Sequence, residues 1–258
     1  MRRSVFFPAG LLFGALAAAA AAGADFKEVR RTVPLDPDGR VSIETFKGSI
    51  DVTAWDRPEV DVLARIEPDE QGRYQAEKVR QTEVRIEGSG RNVRIESDYD
   101  RVRRHGFLGV FGDQTLPFVR YTIKLPRAAR LAVKDYKSES RISGLGGGLD
   151  FDTYKGRVTL ADLEGPVRLQ TYKGDVRAGF ARFAASRFET YKGEIAIVLP
   201  RGTAFDLDSD VGRRGSLSTD FEMAVRASDG GRRRGPVNGG GPSLDLETYR
   251  GTFRIRAK

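Results

Sequence analysis

Residues 153–156 read Thr153-Tyr154-Lys155-Gly156, and the same four residues return at positions 171–174 and 190–193. Close variants stand at 45–48, where phenylalanine replaces tyrosine, and at 248–251, where arginine replaces lysine. A weaker copy, Asp-Tyr-Lys-Ser, occupies 135–138. The tyrosines of the four consecutive copies stand at positions 136, 154, 172 and 191. A nearly fixed period of this length is typical of proteins that stack one short structural unit on the next.

Apolar and polar residues alternate on both sides of the tetrapeptide. Leu149 and Phe151 precede the first full copy at every second position, and Val158 and Leu160 follow it in the same way. Such alternation predicts half-buried strands, and the glycine marks a corner that needs an unusual backbone angle. Each repeat is therefore predicted to be a strand, a tight corner and a second strand. The predicted fold class is all-β, a parallel β-solenoid (β-helix-like) whose coils have the length of the repeat, about 18–19 residues.

Stacking such coils in register would place equivalent side chains above one another. The predicted aromatic column consists of Tyr136, Tyr154, Tyr172, Tyr191 and, from the last copy, Tyr249. Phe46 is remote in sequence and is not assigned to this column. The predicted basic column consists of Lys137, Lys155, Lys173, Lys192 and Arg250.

The basic column has two interpretations. The simpler one is a solvated row that is partly paired with nearby acids, because repulsion between exposed charges about 5 Å apart is only about 0.8 kcal/mol in water. The other is a binding site, because lysine or arginine recurs at every well-formed corner although any polar residue would suffice there. On this second hypothesis the column binds an extended anionic polymer or a headgroup layer.

Residues 1–24 have the composition of a secretory signal peptide. Positions 2 and 3 are arginines, an apolar stretch runs from Val5 to Ala22, and small residues fill 22–24. This pattern predicts cleavage near Ala24/Asp25 and a mature protein in the periplasm, outside the cell or on its surface. The competing interpretation is a retained membrane anchor, against which the shortness of the segment argues.

Residues 25–258 are predicted to form one domain with two interruptions. Residues 67–118 form the first, with a short helix or loop over 69–82, a hairpin turning at 88–90, and a loop over 99–118. That loop combines arginines, His105 and an aromatic tip, and either folds back on the body or docks on a membrane surface or partner. Residues 228–242 are rich in glycine and arginine and are predicted to be a surface loop.

A second internal similarity relates residues 123–127 to residues 197–201, and it aligns the corner at Tyr136 with an eroded corner at Asp210-Val211-Gly212. This alignment predicts that the coil formed by residues 205–225 directly follows the coil of Tyr191. The last copy, from Leu244 onward, then closes the domain.

The composition of the chain limits the classes of partner and cofactor that it is predicted to bind. The net charge is +8, or +6 once the two arginines of the signal peptide are removed, and the charged residues are mixed along the chain. A modest basic excess suits the anionic cell envelope, and for an exported chain it does not indicate nucleic acid. The chain has no cysteine and one histidine, so disulfides and a histidine-rich metal site are not predicted. No cofactor is predicted.

An enzyme is the alternative function. Four carboxylates stand directly before the corner threonines, and stacking would bring them close enough for acid–base chemistry or Ca²⁺ binding. They are Glu44, Asp152, Glu189 and Glu247. Because each of these coils also carries lysine or arginine three residues later, the row is interpreted as a neutralised, solvated face. The chain is therefore predicted not to be an enzyme, and a polysaccharide-acting β-helix enzyme is the alternative.

The repeated strand–corner–strand unit, the Leu-Pro pairs at 125–126 and 199–200, and the Gly-rich stretch before a terminal strand resemble the bacterial putative-adhesin family. The resemblance covers roughly residues 40–257 and is strongest over 131–199 and 243–257. It implies an exported β-solenoid domain of unknown function, without catalytic residues to transfer. The predicted function is accordingly an envelope adhesin or scaffold that binds an anionic polymer, a membrane surface or a protein partner, or that self-associates through exposed strand edges.

Overall fold

The structure is a computed structural model that describes residues 26–107, 115–223, 226–227 and 231–258. The predicted signal peptide and its cleavage site lie outside these residues, as does the 108–114 part of the predicted aromatic tip. Within the described residues the chain is all-β, and its fifteen strands form one large, open, mostly parallel sheet.

The N-terminal half of the chain contains five strands and two short helices in the described residues. The strands are β1 (Lys27–Trp55), β2 (Glu59–Glu67), β3 (Glu83–Asp98), β4 (Phe118–Pro126) and β5 (Arg130–Ser143). The helices are α1 (Gln75–Gln81), between β2 and β3, and α2 (Asp100–Phe107), between β3 and β4.

The C-terminal half is built from strands alone in the residues that the structure describes. They are β6 (Leu149–Leu163), β7 (Val167–Phe180), β8 (Ser186–Lys192), β9 (Glu194–Leu199), β10 (Phe205–Asp210), β11 (Ser216–Thr219), β12 (Arg226–Ala227), β13 (Arg232–Val237), β14 (Ser243–Thr248) and β15 (Thr252–Ala257).

The repeats pair with one another as parallel strands in the register of the tetrapeptide. Lys47 lies opposite Lys137, Lys137 opposite Lys155, Lys155 opposite Lys173, and Lys173 opposite Lys192. Adjacent strands in a sheet are about 4.7–4.9 Å apart, so equivalent residues form columns with that spacing. The alternating apolar residues all point to one side, where they form a single continuous core.

The order of the repeats in space differs from their order in the sequence. β14 pairs with β8 on one side and β10 on the other, and β15 likewise lies between β9 and β11. The prediction that the 205–225 coil directly follows the Tyr191 coil is therefore wrong. The last copy takes that place beside β8. Parallel pairing requires only a matching register, and β13 runs antiparallel along β10 before the chain enters β14.

The N-terminal end of the sheet contains antiparallel pairs of β1, β2 and β4, which were not among the predicted features. Residues 27–34 of β1 pair antiparallel with residues 59–66 of β2, and β2 pairs antiparallel with β4. Residues 35–58 connect the two paired segments, and they include the first copy of the corner motif.

Part of the predicted 99–118 loop is helical. Residues 100–107 form α2, whose start is fixed by the Asp98 carboxylate, which accepts a hydrogen bond from the Asp100 N–H at 2.8 Å. Tyr99 and Val102 are buried against the core, so the segment packs on the body of the protein.

The predicted 228–242 loop also requires correction, because residues 232–237 form β13. Arg232 and Arg234 both form ion pairs with Asp208 on the neighbouring β10, and Val237 is fully buried. Hydrogen bonds from Arg234 lower the pKa of Asp208, which keeps this cross-strand pairing ionised. The glycines of this stretch favoured a loop in the sequence analysis, and nothing near residues 232–237 in the sequence marks the edge of β10 as their pairing partner.

Candidate functional site

The tyrosines of the corners form a continuous stack of rings on the protein surface. Successive ring centroids from Tyr136 through Tyr154 and Tyr172 to Tyr191 are 4.9 Å apart, with planes within 4° of parallel. Tyr249 stacks on Tyr191 at 5.3 Å. The five tyrosines are between 39% and 52% exposed, because the faces of each ring are covered by neighbouring side chains and its edge is in contact with water.

Phe46, which the sequence analysis left out of the column, belongs to it. Its ring stacks on Tyr136 with a centroid distance of 4.6 Å, and Tyr99 covers it edge-on at 6.4 Å. The cause is the parallel pairing of β1 with β5, which brings residues from distant parts of the chain into one register. At the other end, the Arg250 guanidinium lies 5.4 Å from the Tyr249 ring centroid. Arg250 therefore caps the aromatic column.

Tyr172 should contribute more to stability than Tyr249, because it stacks on two rings and Tyr249 on one. At about 0.5–1.5 kcal/mol per aromatic pair, Tyr172→Ala is expected to lower the free energy of unfolding by about 1–3 kcal/mol, and Tyr249→Ala by about half as much. Urea titrations of both variants measure the difference. Equal, negligible losses would show that the stacking contributes nothing.

The lysines of the corners lie beside a separate groove. Lys137, Lys155, Lys173 and Lys192 all line an open groove with a volume of about 720 Å³. Ser138 and the corner glycines also line this groove. Among the described residues, no ion pair or hydrogen bond engages any of these four ammonium groups.

Lys47 occupies the same position of the repeat but is used differently. Its ammonium group pairs with Asp69 and lies 4.1 Å from the centroid of the Phe118 ring, and both charged side chains are nearly buried. Burial opposes the ionisation of Asp69, yet hydrogen bonds from Lys47 and the Gln71 N–H leave its pKa below the ordinary value. Lys47 is therefore a structural residue, and the accessible lysines begin at Lys137.

The lysine groove is also lined by a second row of charged residues that sequence analysis did not single out. Glu139, Arg157 and Asp175 directly follow the corner position in successive coils and line the groove. These three charged residues could have been identified from the alternation of apolar and polar residues, because the first residue after each corner points outward. Sequence reasoning ignored this position because its residue type varies from coil to coil.

The tyrosines face a second groove on the other side of the column. Tyr154, Tyr172, Tyr191 and Tyr249 line it together with the residues that precede the corner threonines. This second groove holds Asp152, Gln170, Glu189 and Glu247, with Lys134 in the same row. The rings and the lysines therefore lie along two neighbouring grooves.

Two carboxylates of this second groove, Glu189 and Glu247, are paired, although not with the corner lysines: Arg187 contacts both. Glu44, which does not line this groove, pairs with Arg94. Burial alone would favour the neutral form of Glu189, but hydrogen bonds from Arg187 and Gln170 lower its pKa. A lowered pKa makes the Glu189 carboxyl a poor proton donor. In the described ranges no group of three or more histidines, cysteines or acids is placed to hold a metal ion.

Asp135 replaces the corner threonine in the weaker copy and holds that corner together. Its carboxylate accepts hydrogen bonds from the Ser138 N–H at 2.9 Å, the Ser138 hydroxyl at 2.6 Å and the Thr153 hydroxyl at 3.0 Å. Burial raises the pKa of Asp135, while these hydrogen bonds oppose the increase. The substitution of Thr by Asp is thus matched by the serine that replaces glycine three residues later.

Within the described residues, no helix is long and apolar enough to span a membrane. No family model matches the chain, and no curated protein matches it.

The chain is similar to several solved structures. One is a putative cell adhesion protein from Clostridium sporogenes, with 10% identity, coverage of 90% of this chain and 100% of that chain, and a TM-score of 0.49. A putative adhesin from Bacteroides fragilis has 12% identity, coverage of 90% and 97%, and a TM-score of 0.41. A putative lipid binding protein from Parabacteroides distasonis has 10% identity, coverage of 92% and 98%, and a TM-score of 0.25. The first two names agree with the family resemblance that the corner motifs indicated.

Proposed function

We propose that this protein is a non-enzymatic binding protein of the cell envelope, and that its lysine row binds an extended anionic polymer. The observation that carries the proposal is the row itself. Lys137, Lys155, Lys173 and Lys192 stand in register along one open groove and have no ion-pair partner among the described residues.

The positive charge of the lysine row is not compensated by ion pairs within the described residues. Neighbouring lysines about 5 Å apart repel by about 0.8 kcal/mol per pair in bulk water, and salt reduces this further. An anionic chain lying along the groove would remove that repulsion and release the counterions that both partners hold when free. Because the row is linear and regularly spaced, it suits an extended polymer better than a single small anion.

The proposal includes a fold and a location. The in-register parallel pairing of the corners supports a solenoid whose coils have the length of the sequence repeat, interrupted near 67–118. The basic and apolar composition of residues 1–24 supports export, with Asp25 as the first residue of the mature protein. N-terminal sequencing of the exported protein should return Asp25, and a sequence beginning at Met1 would contradict export by cleavage.

Changing Lys155, Lys173 and Lys192 together to glutamine is expected to weaken binding to an anionic polysaccharide by about tenfold or more at low salt. The dependence of log affinity on log salt concentration should also become shallower, by about one unit per lysine removed. Fluorescence anisotropy with labelled polygalacturonate at several salt concentrations measures both effects.

The matched control changes Lys124, Arg130 and Lys258 to glutamine. All three are exposed and lie outside the lysine groove, so the control removes the same net charge. Equal weakening by both triple variants would show that net charge alone drives binding. Vesicles of phosphatidylglycerol provide a second arm, and tight lysine-dependent binding to vesicles alone would identify a membrane surface as the ligand.

A further inference from the structure

Two rows of side chains line the lysine groove, and they make opposite demands on an occupant. One row presents four ammonium groups, which only donate hydrogen bonds. The other row presents the carboxylate of Glu139, the guanidinium of Arg157 and the carboxylate of Asp175 in successive repeats. Although both carboxylates line the same groove as the lysines, no ion pair joins the two rows in the described part of the chain.

The carboxylates of the second row, Glu139 and Asp175, remain accessible. Glu139 is 60% exposed and its only ion-pair contact in the described residues is Arg141, at 3.9 Å. Asp175 accepts a hydrogen bond from the Glu194 N–H at 3.3 Å and is otherwise open to the groove. A carboxylate offers about four acceptor positions, so both groups retain capacity for further donors.

We propose that the ligand of this groove is an acidic polysaccharide, whose sugar units carry both carboxylates and free hydroxyls. The inference rests on the proposed function, since it names the class of polymer that the lysine row binds. The polymer carboxylates face Lys137, Lys155, Lys173 and Lys192. The sugar hydroxyls, which both donate and accept, donate to Glu139 and Asp175 and accept from Arg157.

The same geometry selects against polyanions that lack hydrogen-bond donors. A polyphosphate chain in the groove would satisfy the lysines, but its oxygens would also face the carboxylates of Glu139 and Asp175. Neither carboxylate would find a donor, and each would repel the chain. Specificity of this kind comes from the unfavourable contacts that the wrong ligand makes. Glu139 and Asp175 are therefore specificity-determining residues.

The experiment compares polygalacturonate with long-chain inorganic polyphosphate at equal concentrations of anionic groups and equal ionic strength, using the mature chain. The wild-type protein is expected to bind polygalacturonate about tenfold more tightly. In the variant Glu139→Gln/Asp175→Asn the preference should fall about fivefold or more, mainly because polyphosphate binds better. The control Glu28→Gln/Glu222→Gln makes the same change in net charge at exposed sites outside the groove and should preserve the preference.

The outcomes separate the inference from the proposed function. Equal or tighter binding of polyphosphate by the wild-type protein would overturn the inference, as would an identical preference in the groove variant and its control. In either case weaker binding of both polymers by the triple lysine variant would still support the proposed function. If the triple lysine variant bound both polymers as the wild type does, the proposed function itself would fail.

Discussion

Replacing Gly156 with alanine is expected to lower the free energy of unfolding by about 4 kcal/mol, from backbone strain and steric overlap together. Gly156 has a φ of +147°, and a Cβ built there would lie 2.1 Å from the carbonyl oxygen of Ser138 in the neighbouring coil. Relief of this overlap requires the two coils to separate, which would disturb the hydrogen bonds and the stacked rings beside the corner. Chemical denaturation followed by circular dichroism measures the loss.

Two control variants divide this effect into its parts. Gly90 has a φ of +64° but no heavy atom within 4 Å of a built Cβ, so Gly90→Ala should show only the cost of the backbone angle. Gly202 has neither a left-handed φ nor a close neighbour, and Gly202→Ala should change stability by less than about 0.5 kcal/mol. If Gly156→Ala were no more harmful than Gly90→Ala, close approach of the coils would not be the reason for the repeated glycine.

The second large effect distinguishes two lysines that occupy the same position of the repeat. Lys47→Gln is expected to lower the free energy of unfolding by about 3 kcal/mol, because it leaves the nearly buried Asp69 carboxylate without its cation. Lys155→Gln removes an exposed ammonium group with no partner among the described residues, and should change stability by less than about 0.5 kcal/mol. Thermal and urea unfolding of the two variants give the comparison.

The pH dependence tests the cause of the Lys47 effect. The pKa of Asp69 is lowered in the folded protein, so the stability that its pairing contributes is present at neutral pH and is lost as the pH falls through the folded pKa. The difference between the wild type and Lys47→Gln should therefore shrink on acidification, since protonation removes the unpaired charge from the variant. A difference that stays constant between neutral pH and a pH below the folded pKa would assign the effect to the Phe118 contact instead.

These two comparisons bear on the binding proposal as well as on stability. If Lys47 is structural and Lys155 is not, then the fold requires no ammonium group at position 155. The groove then combines a rigid backbone, fixed by the close packing of the corners, with side chains whose removal leaves the fold intact. That combination makes the triple lysine variant a clean test of binding.

Much of the candidate site could be predicted from the sequence. The regular recurrence of Thr-Tyr-Lys-Gly was sufficient to predict which side chains share a column. Parallel strands in register place equivalent residues side by side, and the structure puts Tyr154 next to Tyr172 and Lys155 next to Lys173 accordingly. Alternation also identified the buried face, because a strand turns every second side chain to the same side.

Other features of the site depend on contacts between distant parts of the chain, which no local pattern encodes. Phe46 joins the column through the pairing of β1 with β5, and Lys47 is neutralised by Asp69 from the 67–118 insertion. Sequence reasoning treated all corner lysines alike, since nothing near Lys47 in the sequence marks its partner.

The sequence by itself thus determined the repeating unit, its register and the columns of side chains. These features follow from the alternation of apolar and polar residues within each strand and from the nearly constant spacing of the corner motif along the chain. Only the tertiary structure decided the order of the repeats, with β14 between β8 and β10, and the separation of rings and lysines into two grooves. The physical reason is that one parallel strand edge accepts any strand of matching register. Which copy occupies that edge depends on the connections between the strands and on packing across the whole sheet.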